Sequence, residues 1–289
     1  MKYIDLERSY LEYQKASCKK SSFDTLRSRI KTHLTPFFKD DELPIGTQRQ
    51  IEFKAYLADK QIKQSYKRTI FVCFAQMMNY GRRYLELDTS AKIPNFKRTA
   101  NPIYTIWTFK QYKAFREKLE AKDYKAFFDL LYFGGLRRGE ALALTPSDLE
   151  SDYRIRIDKT YTRREVTAPK TPTSQRLVEL PTEVYGELRS IAEKRDTKER
   201  LFKELKYTTI KRHMDKASDE ARLPRARVHD LRHSHITMLL YEGITPQGIA
   251  HRVGHSNTDT LLNVYAGYLP REEKTICRKL ENEIKKARL

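Results

Sequence analysis

Residues 225–268 read RARVHDLRHSHITMLLYEGITPQGIAHRVGHSNTDTLLNVYAGY. Their apolar spacing predicts helices over 229–242, 246–252 and 257–266. Thr245-Pro246 is a strong helix start, and Gly243 and Gly254 are strong stops. The stretch packs His229, Arg232, His233, His255 and Tyr265 into these short units. Arginine offers planar, two-pronged hydrogen bonding to phosphate oxygens. Histidine moves a proton near neutral pH, and tyrosine is a nucleophile once its proton has an acceptor. The set suggests chemistry on a phosphodiester, and the rest of the chain can be searched for what it lacks.

Upstream, Thr108 is a plausible N-cap for FKQYKAFREKLE. The very apolar YKAFFDLLYF follows and ends at Gly134-Gly135, where glycine releases the helix. LRRGEALALTPSDL is a short helix closed by Pro146, with Arg137 and Glu140 three residues apart on one face. Residues 153–180 change period: YRIRIDKTYT, REVTAPK and QRLVEL alternate as strands do. They predict a small antiparallel sheet with Lys170 in a turn, and helices return over 182–195 and 207–222.

The first hundred residues are different. Helical spacing covers 6–18, then a second helix from Ser21 or Ser22 through Leu34 that Pro36 helps to end, then 47–58 and 62–86. The last carries Ile70, Phe71, Phe74, Met77, Met78 and Tyr84 on a broad apolar face. Nothing in this bundle resembles a catalytic constellation. Residues 88–104 hold prolines and small polar residues without periodicity and read as a linker. Its Lys92, Lys97 and Arg98 could lie along a phosphate backbone or be ordinary solvated charge.

With 289 residues the chain can bury two cores. Its formal net charge is +19, and both the first hundred residues and the remainder carry a basic excess. That favours a polyanion, nucleic acid before anionic membrane, and a protein that surrounds its partner. No apolar run approaches the roughly 20 residues of a membrane span, and MKYIDLERSY lacks the apolar core of a signal peptide. Cys18, Cys73 and Cys277 form no C-x-x-C pair. They fit a reduced cytoplasmic protein without a metal cage.

Taken together, the boxes resemble those of the tyrosine recombinases of the phage and conjugative-transposon integrase type. GGLRRGEALALTPSDL is similar to the first arginine box, with Arg137 in the catalytic position, Glu140 as accessory carboxylate and Arg138 beside it. APKTPTSQR resembles the hairpin that bears the catalytic lysine, Lys170. HDLRH resembles the H-x-L-R-H box, hence His229 and Arg232. VGHSNTDTLLNVY resembles the segment that holds a histidine, His255, and the nucleophile, Tyr265. The departures are valine before Gly254 and Gly267 where histidine is common. The bundle begins almost at Met1, so the small arm-binding domain of many integrases is expected to be missing or removed.

The resemblance implies a mainly α protein with a small antiparallel β-sheet. A helical core-binding, SAM-like DNA-binding domain would cover 1–90, a linker 91–104, an α+β catalytic domain 105–270 and a docking helix 271–289. It implies attack by Tyr265 on DNA, a 3′-phosphotyrosyl bond and a free 5′-hydroxyl, with no cofactor, no metal and no ATP. The implied partners are double-stranded DNA recombination sites and a homotetramer on two duplexes, with room for an accessory directionality factor and none for a membrane. The implied place is the bacterial cytoplasm, on the nucleoid. Ile276, Leu280 and Ile284 form a stripe that needs a dock; the resemblance implies a neighbouring protomer, with docking in cis the alternative. Three rival readings stay open. One is a type IB topoisomerase-like enzyme, one a non-catalytic DNA-binding regulator, and one a metallohydrolase built on His229 and His233.

Overall fold

The computed structural model describes residues 1–91, 94, 104–162, 165–168, 175–255, 258 and 281. It divides into two compact units, Met1–Asn101 and Pro102–Leu289.

The first unit is helical: α1 (Tyr3–Ser17), α2 (Lys20–Arg29), a π turn (Ile30–Leu34), α3 (Thr35–Phe38), α4 (Thr47–Ala58) and α5 (Gln64–Tyr84). Along α5, Ile70, Phe71, Phe74, Met77 and Met78 are all fully buried. Their i, i+1, i+4, i+7, i+8 spacing makes one wide stripe. Tyr84, expected on that face, is instead 53% exposed; it is the last residue of α5, and its ring lies beside those of Tyr13 and Tyr80. Phe38 stacks on Phe74 with ring centroids 4.8 Å apart and tilts against Phe53 at 4.7 Å. Pro36 does not end the second helix. It sits in the first turn of α3, where a missing N–H leaves no helical bond unmade. Two charges enter the bundle with partners. Lys67 Nζ donates to the Ala58 carbonyl at the end of α4, and buried Glu7 accepts from Lys31 and Thr35.

The second unit contains α6 (Phe109–Glu117), α7 (Lys122–Tyr132), α8 (Arg138–Ala143) and a 3-10 turn (Pro146–Asp148). It continues with β1 (Arg154–Ile157), β2 (Thr160–Thr162), β3 (Glu165–Thr167) and β4 (Arg176–Glu179). It closes with α9 (Thr182–Ala192), α10 (Tyr207–Glu220), α11 (Asp230–Tyr241) and α12 (Pro246–Val253). Thr108 caps α6 by accepting from the Gln111 N–H, while the Gln111 side chain accepts from the Thr108 N–H. Every residue of α7 from Ala126 to Tyr132 is buried, so α7 is the axis of this core, against which α8, α9 and α11 pack. Its buried acid, Asp129, takes the Tyr112 hydroxyl at 2.6 Å and the Arg116 Nε at 2.8 Å, so the buried charge is satisfied.

The small antiparallel sheet is present as two separate two-stranded ladders. β1 pairs with β4, Ile155 opposite Val178, and β2 pairs with β3, Tyr161 opposite Val166. Asp158 and Lys159 part them, and Lys159 Nζ is drawn to buried Asp148. The helix expected over 257–266 and the docking helix over 271–289 lie outside the described residues, Thr258 and Glu281 excepted. So do Lys92, Lys97 and Arg98 of the linker. Among the described residues no helix is long and apolar enough to cross a membrane.

Candidate active site

α7 stops at Gly134-Gly135. Gly135 has φ +64°, and a Cβ on it would lie 2.4 Å from Cδ2 of His235. Only glycine accommodates both conditions. The sharp turn sends the chain straight into α8, with Arg137 as its N-cap. Glu140, three residues on, turns back to accept the Arg137 backbone N–H and its Nη1, each at 2.8 Å. Arg138, the adjacent alternative, faces elsewhere: its guanidinium lies 3.9 Å over the Tyr207 ring.

The end of α12 gathers the arginines. Gly254 closes that helix in the left-handed conformation, φ 68° and ψ 49°. The Gly254 and His255 N–H groups satisfy the carbonyls of His251 and Ala250. The next three carbonyls would be orphans at a helix C-terminus. Each accepts from a different arginine. Arg252 O takes Arg176 Nε at 2.7 Å, Val253 O takes Arg232 Nη2 at 2.7 Å, and Gly254 O takes Arg137 Nη2 at 3.0 Å. The negative pole of the helix dipole favours this company of cations. Arg232 is 1% exposed and also donates to Gly135 O at 2.6 Å. Thus α12 is joined to the Gly-Gly turn, to α11 and to β4 through guanidinium groups.

Glu140 is the acid of this cluster. Burial raises its pKa, but hydrogen bonding and charge from Arg176, the Arg137 N–H and the charge of Arg232 outweigh burial and hold it below its usual value. Around it stand histidines whose pKa values are lowered as well, which for a histidine favours the neutral ring. Loss of solvent around the ring, then the charges of Arg232 and Arg137, push His229 down to about 4, although the residue keeps an exposed edge. The same causes push His255 to about 4. Its buried Nδ1 has no hydrogen-bond partner among the described residues. His233 is lowered to about 4, first by burial and then by His229. It lies edge-on to His229 at 4.9 Å and against the Tyr104 ring at 3.8 Å.

His235 is a different kind of residue. Its Nδ1 contacts the Tyr132 carbonyl at 2.8 Å and its Nε2 receives the Arg252 Nε at 3.2 Å. The only consistent protonation puts the hydrogen on Nδ1 and leaves the ring neutral. Burial and Arg252 hold its pKa down to about 3. Arg252 also donates to Phe133 O and Glu179 O, each at 3.0 Å. The carbonyls of Tyr132, Phe133 and Gly135 are therefore all taken by side chains of α11 and α12.

This arrangement presents two guanidinium groups, a carboxylate that supports one of them, and two neutral imidazoles. It is suited to an anion whose charge grows during reaction. A model of the phage integrase family matches residues 106–271, more than half of the chain. The chain belongs to that family. It is a tyrosine site-specific recombinase. The ICEBs1 integrase of Bacillus subtilis is 23% identical over 301 residues, which cover 94% of this chain and 81% of that one. A Tn1549 transposon integrase in complex with a circular intermediate DNA superposes with a TM-score of 0.78 at 15% identity, covering 97% of this chain and 99% of that one. A lambda integrase tetramer bound to a Holliday junction gives 0.66 at 16% identity, covering 88% and 76%. At such identities these structures speak for the fold alone.

Of the residues read from the integrase boxes, the structure brings Arg137, Glu140, His229, Arg232 and His255 together from three distant segments. Lys170 and Tyr265 lie outside the described residues. Among the described residues no group of three His, Cys, Asp or Glu could hold a metal ion. Sequence reasoning missed Arg176 and Arg252 as members of the site. One signal was available for Arg176. In QRLVEL the alternation puts it on the same buried face as Val178, and a charge at an inward position needs a reason. Arg252 carried no such signal, because its partners are two backbone carbonyls and a histidine from other segments.

Proposed function

We propose that this recombinase integrates and excises a mobile element by cutting and rejoining DNA at two specific sites. Arg137 and Arg232 clamp the non-bridging oxygens of the scissile phosphate and stabilise the charge that builds there in the transition state. Tyr265 Oη attacks phosphorus, and the 5′-oxygen leaves with a proton from Lys170. The product is a 3′-phosphotyrosyl bond and a free 5′-hydroxyl. His229, neutral at pH 7, accepts the tyrosine proton, and His255 donates a hydrogen bond to the phosphate. Glu140 orients Arg137. Attack by the 5′-hydroxyl of another strand reverses each step, so the phosphodiester energy is conserved and no nucleotide is consumed.

The observation that carries this reading is the convergence of Arg137 and Arg232 on consecutive carbonyls at the end of α12, beside His255 with its unpartnered Nδ1. The names of the similar integrases supply the biological setting, since ICEBs1 and Tn1549 integrases are those of mobile elements. The lambda integrase tetramer bound to a Holliday junction supports a tetramer on DNA, here assigned to two duplexes. The helical unit 1–90 and the catalytic unit 105–270, joined by the linker 91–104, would both contact the duplex. The segment 271–289 would dock on a neighbouring protomer, and an accessory directionality factor would bias excision against integration. Phosphate contacts of a chain with net charge +19 would supply most of the affinity.

The test uses a supercoiled plasmid with two copies of the element's own junction, in chelator. Recombinant circles are the expected product. Relaxed circles without recombinants would replace the reading with type IB strand passage. Binding without any strand breakage would replace it with a regulator.

A further inference from the structure

Arg176 stands where the fold would accept an apolar side chain. It occupies the first inward position of β4, ahead of buried Val178 and Leu180. Its side chain is 1% exposed. A buried guanidinium is costly, and replacing such ion pairs by apolar groups of similar volume often leaves stability unchanged or improves it. Fold stability alone therefore does not account for an arginine there. Its contacts lead instead to the site. Nη2 donates to Glu140 Oε2 at 2.9 Å, and Nε donates to the Arg252 carbonyl at 2.7 Å. Glu140 in turn holds the backbone and the guanidinium of Arg137. Arg137 returns to α12 at Gly254 O. The result is a closed loop of contacts from β4 to α8 to α12 and back to β4.

We propose that Arg176 is a positioning residue for DNA strand cleavage: it fixes Glu140 against the end of α12 and so sets the place of Arg137. The inference rests on the tyrosine-recombinase reading of this same site. Arg176 does not touch the scissile phosphate. It acts by keeping the Glu140 carboxylate ionised and in register, so that Arg137 meets the phosphate without searching. Lysine replaces it only in part, because one ammonium keeps the charge but lacks the fixed fork with which a guanidinium bridges a carboxylate and a carbonyl. The charges facing Glu140 are Arg137 from the turn, Arg176 from β4 and Arg232 from α11. The same three arginines also act on His255, and Arg137 and Arg232 act on His229.

The experiment measures single-turnover cleavage of a nicked suicide duplex by the full chain at saturating protein, across pH. It compares wild type with Arg176→Met, Arg176→Lys, Glu140→Gln and the Arg176→Met/Glu140→Gln double variant. DNA affinity by mobility shift and the unfolding temperature are measured alongside. Arg176→Met should cleave on the order of 100-fold more slowly with unchanged DNA affinity, and its acid limb should move to higher pH as Glu140 loses its strongest support. The double variant should be no slower than the slower single one. Adding Arg176→Met to Glu140→Gln should not move the acid limb further. Arg176→Lys should fall between wild type and Arg176→Met, and it carries the test if Arg176→Met does not fold. Wild-type cleavage by Arg176→Met, or losses that multiply in the double variant, would overturn the proposal. Failure of wild type to cleave would instead overturn the reaction assigned to the site.

Discussion

The two units are held together by different physics. In Met1–Asn101 the aromatic rings of Phe38, Phe53, Phe71 and Phe74 fill one core, and any group of similar shape could share in that burial. In Pro102–Leu289 a similar apolar core carries on its edge a set of guanidinium groups seated on backbone carbonyls. Hydrophobic contact is non-directional and scales with area. Hydrogen bonds to a guanidinium are directional and fail when the donor count or angle is wrong. The first unit should therefore respond to volume, the arginine site to chemistry.

The largest expected effect is Phe74→Ala. It should destabilise the first unit by about 3–5 kcal/mol through lost burial and an unfilled cavity, read by denaturant unfolding. Next is Arg232→Lys, which keeps the charge but cannot serve Gly135 O, Val253 O and a phosphate at once. Cleavage should fall about 100- to 1000-fold, with a stability loss of about 1–3 kcal/mol from the carbonyl left unpaired. If Arg232→Lys cleaved normally, the contrast between volume and chemistry would be lost.

Acid should separate the units further. His229, His233 and His255 are held near 4 and His235 near 3, against an ordinary value of 6.5. The unfolded chain binds these protons more readily than the folded one. Their contribution is fully present above pH 6.5 and is lost as pH falls through the window from 6.5 towards about 4, with His235 extending it to about 3. The first unit has one histidine, His33, which is also lowered, by burial first. Unfolding of the second unit should thus be the more acid-sensitive, as followed by near-UV signals from Trp107, which is buried in it. Equal acid sensitivity would remove that distinction. The smallest effect is Met77→Leu, a volume-conserving swap in the first core that should cost less than about 1.5 kcal/mol.

Much of this was legible from the chain, for reasons that differ by region. The apolar stripe of α5 and the Thr108 cap are local patterns, and the sequence displays them directly. The turn at Gly134-Gly135 and the stop at Gly254 were also visible, since a backbone in the left-handed region asks for glycine. Pro36 misled, because a π turn before it let a new helical turn begin where a stop was expected. Tyr84 misled because helical spacing does not show where along a helix the packing ends. Arg137, Glu140 and Arg232 were readable as boxes in a family likeness. Their anchoring on Arg252 O, Val253 O and Gly254 O was not, because a carbonyl has no letter of its own. Arg252 stayed hidden for the same reason.

The most direct test of the account is covalent capture on a nicked suicide duplex carrying the element's junction, in chelator, followed by mapping of the attached residue. The account predicts a denaturant-resistant adduct at Tyr265. It also predicts no adduct with Tyr265→Phe, although that variant binds the duplex as wild type does. An adduct that persists in Tyr265→Phe, for instance at Tyr268, or no adduct from wild type on a duplex it demonstrably binds, would contradict it.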